Sequence, residues 1–210
     1  MKVRRPLQKS RGILFIISGP SGAGKTTLYR EVAASLPNLK HPVSYTTRPR
    51  RTGEIDDRDY TFISSDAFRA MVDRGEFIEW AEVHGELYGT SKKRLEEIIH
   101  SGIDAVLDID IQGAKQLKKK YKNSVYIFVL PPSKEIAKER LQQRLTDSKD
   151  KIEIRLRRII KEVKKYRNYD YVIINNIFEN ARKELEAIIL SHRVSTERVD
   201  PVWIKENFLQ

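Results

Sequence analysis

The sequence predicts an α/β fold of the doubly wound kind, a parallel sheet with helices on both faces. Three observations carry that expectation. Short apolar runs rich in β-branched and aromatic residues recur at 13–17 (ILFII), 105–110 (AVLDID), 125–130 (VYIFVL) and 171–174 (YVII). They do not alternate with polar residues, as expected of strands buried on both faces. Between them lie segments whose apolar residues recur at helical spacing, and strands alternating with helices build a parallel sheet. The first run also stops at a glycine-rich stretch, GPSGAGKT, that opens a helical pattern.

Taken in order, ILFII is the first strand. Leu28, Val32 and Leu36 mark the helix after it, with Pro37 as its stop. From Pro42 to Gly89 the rhythm breaks: this stretch is polar and arginine-rich, with Tyr60, Phe62, Phe77 and Trp80 in short strand-like pieces. It is expected to form an inserted lobe of mixed β-structure over about 42–90. AVLDID and VYIFVL resume the core, and Ser133 is placed to cap a helix that carries Ile136, Ala137 and Leu141 on one face. Residues 140–155 are charged and poor in large apolar groups, so a mobile helical lid is expected there. Ile152, Leu156, Ile159, Ile160 and Val163 mark a longer helix, YVII the last strand, and Leu185, Ile188 and Ile189 a further helix. The expectation is one domain over 1–210, its core at about 12–41 and 101–195, with a tail at 196–210.

With 210 residues, the chain can bury a core without covalent staples. It has no cysteine, which excludes disulfides and thiolate metal sites, and its four histidines show no ligand spacing. Lysine and arginine outnumber acids 40 to 29, a formal charge of +11. That excess suits an anionic partner, whether nucleic acid, membrane surface or phosphorylated small molecule. The basic residues are spread without a nucleic-acid motif, so no nucleic acid is expected as partner. The N-terminal apolar stretch is shorter than the roughly 7 to 15 residues of a secretory signal. No run approaches the roughly 18 residues of a membrane span. The expectation is a cytoplasmic protein without a membrane partner, monomeric or homodimeric.

Gly19 to Thr26 matches the pattern G-x-x-x-x-G-K-[ST], after a strand and at the start of a helix. In Gly19, Pro20, Ser21, Gly22, Ala23 and Gly24, the glycines let backbone N–H groups converge on a phosphate, and the helix N-terminus adds a favourable dipole. Lys25 would reach the terminal phosphates, the Thr26 hydroxyl would bind Mg²⁺, and Thr27 completes the segment. A nucleoside triphosphate site follows.

The acceptor is read from SYTTRPRRTGEIDDRDYTF, EFIEWAEVHGELYGTS and VLDIDIQG. Arg48, Arg50 and Arg51 place three cations within four residues, beside the hydroxyls of Ser44, Thr46 and Thr47. Clustered guanidiniums hold a dianionic phosphate by paired hydrogen bonds, and Tyr60 and Tyr88 offer phenolic donors for the same oxygens. The alternative is a solvated basic turn. Asp108 and Asp110 end the AVLDID strand, and ligands bind at the carboxyl ends of such sheets. They could hold Mg²⁺ through water, contact a second nucleotide, or cap the following turn.

Together SGPSGAGKTT, TTR…TGE…DY.F, EFIEWAEVHGELYGTS and LDIDIQGA resemble the guanylate kinase family of nucleoside monophosphate kinases, in order and spacing, over about residues 12–190. The resemblance implies transfer of the γ-phosphoryl group of MgATP to GMP, and to dGMP. It places Ser44, Glu79, Thr90 and Asp108 at the guanine base and Arg48, Arg51, Tyr60 and Tyr88 at the nucleotide's phosphate. Lys25, Arg48, Arg140, Arg144 and Arg155 carry the transferring charge, the last three from the lid; Thr26 serves the metal directly and Asp110 through water. A carboxylate at Glu79 suits a purine with two N–H donors. Two departures stand out. Pro49 follows Arg48 directly, which leaves Arg50 or Arg51 as the second phosphate ligand, and Leu145 stands where the family commonly has glycine. The rivals are a partner-binding module without catalysis, a kinase of another phosphorylated acceptor such as a sugar phosphate, and a nucleic-acid-binding protein.

Overall fold

The computed structural model describes residues 11–83, 85–142, 156 and 159–209. Five strands, β1 (Leu14–Ser18), β2 (Leu39–Lys40), β7 (Asp104–Asp108), β8 (Val125–Leu130) and β9 (Tyr171–Ile174), form one parallel sheet in the order β2-β7-β1-β8-β9. Each crossover is long enough to hold a helix, as parallel pairing requires. Side chains of β1 alternate between two cores. Phe15 and Ile17 pack on one face with Leu28 and Val32 of α1 (Lys25–Ser35) and Leu185 and Ile189 of α7 (Phe178–Arg193). Leu14 and Ile16 pack on the other with Leu95 and Ile99 of α3 (Lys92–His100) and Ala114 and Leu117 of α4 (Ile111–Lys120). Burial on both faces is why β1, β7 and β8 read as unbroken apolar runs.

The stretch that breaks the rhythm forms a second sheet of four strands, β4-β3-β6-β5, from β3 (Tyr45–Thr46), β4 (Thr61–Phe62), β5 (Phe77–Val83) and β6 (Glu86–Ser91). It is mixed: β3 pairs parallel with β4 and antiparallel with β6, and β5 pairs antiparallel with β6. It also carries a helix the periodicity did not mark, α2 (Ser65–Asp73), capped by the Ser64 side chain accepting from the Ala67 N–H. A single residue of that helix, Phe68, is fully buried.

Ser133 caps α5 (Lys134–Gln142) as expected, accepting from the Ile136 N–H at 3.2 Å. Ala137 of α5 packs on Ile159 of α6 (159–163), with Leu156 and Val163 beside them. Ile160, expected on the same apolar face, is instead 46% exposed. Of the expected lid, residues 143–155 lie outside those described, and with them Arg144, Leu145, Ile152 and Arg155. The tail forms α8 (Pro201–Phe208), where Trp203 meets Phe208 edge-on at 5.4 Å.

Candidate active site

The glycine-rich loop runs from the carboxyl end of β1 into α1. Gly22 and Gly24 both sit at φ 81°, a left-handed conformation that glycine adopts without a Cβ penalty. Gly24 is the N-cap of α1 and receives no side-chain cap, so the amides of the first turn remain open to an anion. The Lys25 ammonium lies across the loop, donating to the Gly19 carbonyl at 2.8 Å and the Pro20 carbonyl at 3.2 Å. A phosphate dianion would be a stronger partner than two neutral carbonyls.

Beside this loop the two aspartates separate. β7 ends at Asp108, whose Oδ2 accepts from the Thr26 hydroxyl at 2.6 Å. Asp110 lies beyond the strand and caps α4, with Oδ1 accepting from the Gly113 N–H at 2.8 Å. A methyl group at Gly113 would overlap Glu79 Oε2 and come within 3.3 Å of Asp110 Oδ1, so these two carboxyls share one small space. Asp108 stands with Thr26 and Asp110 beside Glu79, because the chain turns into α4 where the expected strand would have continued.

The second pocket is built on the inserted sheet. Glu79 and Thr90 are opposite one another across the antiparallel β5/β6 pair, and Thr90 Oγ1 donates to Glu79 Oε1 at 2.6 Å. Ser44, Glu79 and Thr90 are all buried. Burial pushes the Glu79 carboxyl up to about 7, the Thr90 hydrogen bond opposes that, and the Asp110 charge adds to it. A polar group buried this deeply costs free energy unless something pairs with it.

Arg48 lies on the phosphate side of the same lobe, its guanidinium 5.4 Å from the Tyr60 ring and 5.6 Å from that of Phe62. It makes a bidentate pair with Glu54, Nη2 to Oε1 at 2.8 Å and Nη1 to Oε2 at 3.0 Å. Burial works against the Arg48 charge, and the bonds to Glu54 and Tyr88 more than offset it. Tyr60 and Tyr88 meet edge-on at 6.0 Å, and burial with the Asp108 charge nearby raises the Tyr60 phenol. The Arg51 N–H donates to Glu54 Oε2 at 2.8 Å, while its side chain is exposed, as is that of Arg50. Glu54, read only as part of the TGE motif, is therefore the carboxylate that shapes this turn.

Sequence reasoning missed a second residue. Asn175, at the end of β9, is 4% exposed, and its Nδ2 donates to the Ala23 carbonyl at 2.8 Å. Its own carbonyl accepts from Arg140 Nη2 at 3.0 Å, and Arg140 Nη1 reaches the Gly22 carbonyl at 3.5 Å. Of the three expected lid arginines, Arg140 alone is described, and it stands against the phosphate loop. The signal that could have found Asn175 is its position, at the carboxyl end of a strand of the parallel sheet.

Comparison with known proteins agrees with this geometry. The guanylate kinase family model matches residues 11–192. The chain is 54% identical over 191 residues to a guanylate kinase of Geobacter metallireducens, covering 91% of this chain and 94% of that one. It is 45% identical over 188 residues to one of Thermotoga maritima, covering 90% and 91%. The crystal structure of guanylate kinase from Anaplasma phagocytophilum superposes with a TM-score of 0.78 at 31% identity, covering 97% of this chain and 98% of that one. Among the described residues no helix is long and apolar enough to cross a membrane.

Proposed function

The chain belongs to the guanylate kinase family, and from that premise we propose how its own residues perform the family's reaction. It transfers the γ-phosphoryl group of ATP to GMP, giving ADP and GDP. The attacking oxygen belongs to a phosphate that is already anionic, so no strong general base is needed. What remains is to align two mutually repelling anions and to neutralise the charge that spreads over the transferring group.

The loop from Gly19 to Gly24, with the first amides of α1 and Thr27, holds the ATP phosphates, and Lys25 follows the terminal ones. Arg140 adds charge from the side of Gly22, and Arg144 and Arg155 are assigned the same work. Thr26 and Asp108 offer the hard oxygen donors that Mg²⁺ takes, which fits the metal that the family generally uses. Bound there, the ion would neutralise phosphate charge. Asp110 then serves the base pocket instead.

Glu79, in its ionised form, accepts from the ring N1–H and the exocyclic amine of guanine, while Ser44 or Thr90 serves the carbonyl. Adenine would set a ring lone pair against that carboxylate, a buried mismatch costing a few kcal/mol. dGMP keeps the same base and is taken too. Arg48, Tyr60 and Tyr88 hold the GMP phosphate, with Arg51 or Arg50 as the second cation. Closure of the lobe over both nucleotides keeps water from the ATP.

The observation that carries this reading is the Asp108–Asp110 turn, which joins the two sites. One carboxylate of that turn is bonded to the phosphate-loop threonine, and the other shares a pocket with Glu79. The decisive experiment measures ADP release from ATP with GMP, dGMP, AMP, CMP or UMP as acceptor. Turnover restricted to GMP and dGMP is expected. Comparable rates with AMP would remove Glu79 from base recognition, and turnover with sugar phosphates alone would point to another acceptor.

A further inference from the structure

We propose that Asn175 is a positioning residue that sets the phosphate loop for ATP, through its amide bond to the Ala23 carbonyl. The proposal rests on the assignment of that loop to ATP. The Asn175 side chain is buried and donates to the Ala23 oxygen at 2.8 Å. This oxygen lies one residue ahead of the first helical acceptor, since the Gly24 carbonyl is the one that receives the Leu28 N–H. The helix ladder therefore does not hold it.

Peptide stereochemistry supplies the consequence. The bond between Ala23 and Gly24 is trans, as no cis peptide occurs among the described residues. In a trans peptide the C=O and N–H point in opposite directions. Drawing the Ala23 oxygen toward Asn175 therefore turns the Gly24 N–H the other way, toward the concave side that receives a phosphate. Gly24 itself sits at φ 81°, where the backbone has no Cβ to resist rotation of this peptide. A substituent there would meet Asn175 Nδ2 at 2.5 Å, so the amide also fills the space behind the loop.

Asn175 is anchored from its own backbone. Its N–H donates to the Leu130 carbonyl at 2.8 Å, which continues the β8–β9 pairing, and its carbonyl accepts from Arg140. The same residue thus links the sheet, the loop and one of the cations assigned to the transferring group. No part of it approaches the Glu79 pocket, so its effect should fall on one nucleotide only.

The test replaces the donor while keeping the shape, with Asn175→Leu. Titration of the wild-type chain with ADP and with GMP first establishes that it binds both; binding of neither would sink the nucleotide reading itself rather than this proposal. For the variant, an affinity for ADP and a KM for ATP about tenfold poorer are expected, the effect of one lost buried hydrogen bond, with GMP affinity unchanged. An unchanged ADP affinity, or an equal loss for both nucleotides, overturns the positioning role. Should Asn175→Leu not accumulate as folded protein, Asn175→Asp takes its place. Ionised, its carboxylate opposes the Ala23 carbonyl; protonated, it restores a donor. Its ADP affinity relative to wild type should recover as pH falls, and a ratio flat across pH overturns the proposal.

Discussion

Replacing Glu79 by glutamine tests base recognition and its pH dependence together. Burial holds this carboxyl at about 7 rather than its ordinary 4.5. At about 1.4 kcal/mol per pH unit, keeping it ionised in the native protein costs on the order of 3 kcal/mol. Because the folded pKa lies above the unfolded one, the protonated group's contribution to stability is full below about 4.5 and lost as pH rises through about 7. Without nucleotide, Glu79→Gln should therefore melt higher than wild type at pH 8 and much like it at pH 5. Guanine needs the ionised form, so wild-type affinity for GMP should weaken about tenfold per unit as pH drops below 7. The GMP phosphate itself takes a proton near pH 6, which affects wild type and variant alike and cancels in their ratio. At pH 8 the variant sets an amide donor against guanine's donors, a loss of about 2–3 kcal/mol, or roughly thirty- to a hundredfold. At pH 5.5 wild-type Glu79 is neutral too, and the gap should narrow by about an order of magnitude. Calorimetric titration of both proteins with GMP across this range reads it directly. A gap that stays constant with pH would show that the ionised carboxylate does not receive the base.

Two further substitutions address the two sites separately. Gly113→Ala places a methyl group against Glu79 Oε2 and Asp110 Oδ1, so KM for GMP should rise at least about tenfold while ADP affinity is retained; equal changes for both nucleotides would mean the helix itself has been disturbed. Lys25→Ala should lower kcat by about a hundredfold or more with little change in Tm, since its ammonium binds only two loop carbonyls here. Normal turnover in that variant would refute the role given to the lysine.

The parts of the fold that read clearly from the sequence are those decided locally. VYIFVL coincides with β8 because a strand buried on both faces has nowhere to put a polar residue, whereas YVII coincides with β9 through its β-branched and aromatic run alone, three of its four residues being exposed at the sheet edge. The phosphate loop read clearly for a similar reason: its glycines and lysine meet their geometric demands within eight consecutive positions. β2 escaped notice because two residues make no pattern, and α2 because the polar, arginine-rich stretch around it reads as strand-like pieces throughout. That β7 ends at Asp108 and not at Asp110 was illegible for a subtler reason, since strand ends are the least determined feature of an apolar run. Asn175 lies about 150 positions from the carbonyl it holds, and no local pattern relates the two.

Among the described residues, side chains of three core helices tether the inserted lobe. Gln116 of α4 bonds both ways to the backbone of Trp80, donating to its carbonyl at 2.8 Å and accepting from its N–H at 3.3 Å. The residue beside Trp80 is Glu79, so the carboxylate to which we assign base recognition is fixed relative to α4 and to Asp110 at its cap. The phosphate side is joined differently. There Arg30 of α1 pairs with Asp59 at 2.9 Å, next to Tyr60, with the arginine about half exposed. Asp59 itself is nearly buried, at 10% exposure, and also accepts from the Ile55 N–H and from Arg58. Arg94 of α3 adds bonds on the same side, donating to the Thr61 hydroxyl at 2.6 Å and the Val43 carbonyl at 3.1 Å and pairing with Asp57 at 3.1 Å. Both sides of the lobe are thus held to helices of the core, and a movement that brings the two nucleotides into line has to break bonds beside Tyr60 as well as work against Gln116.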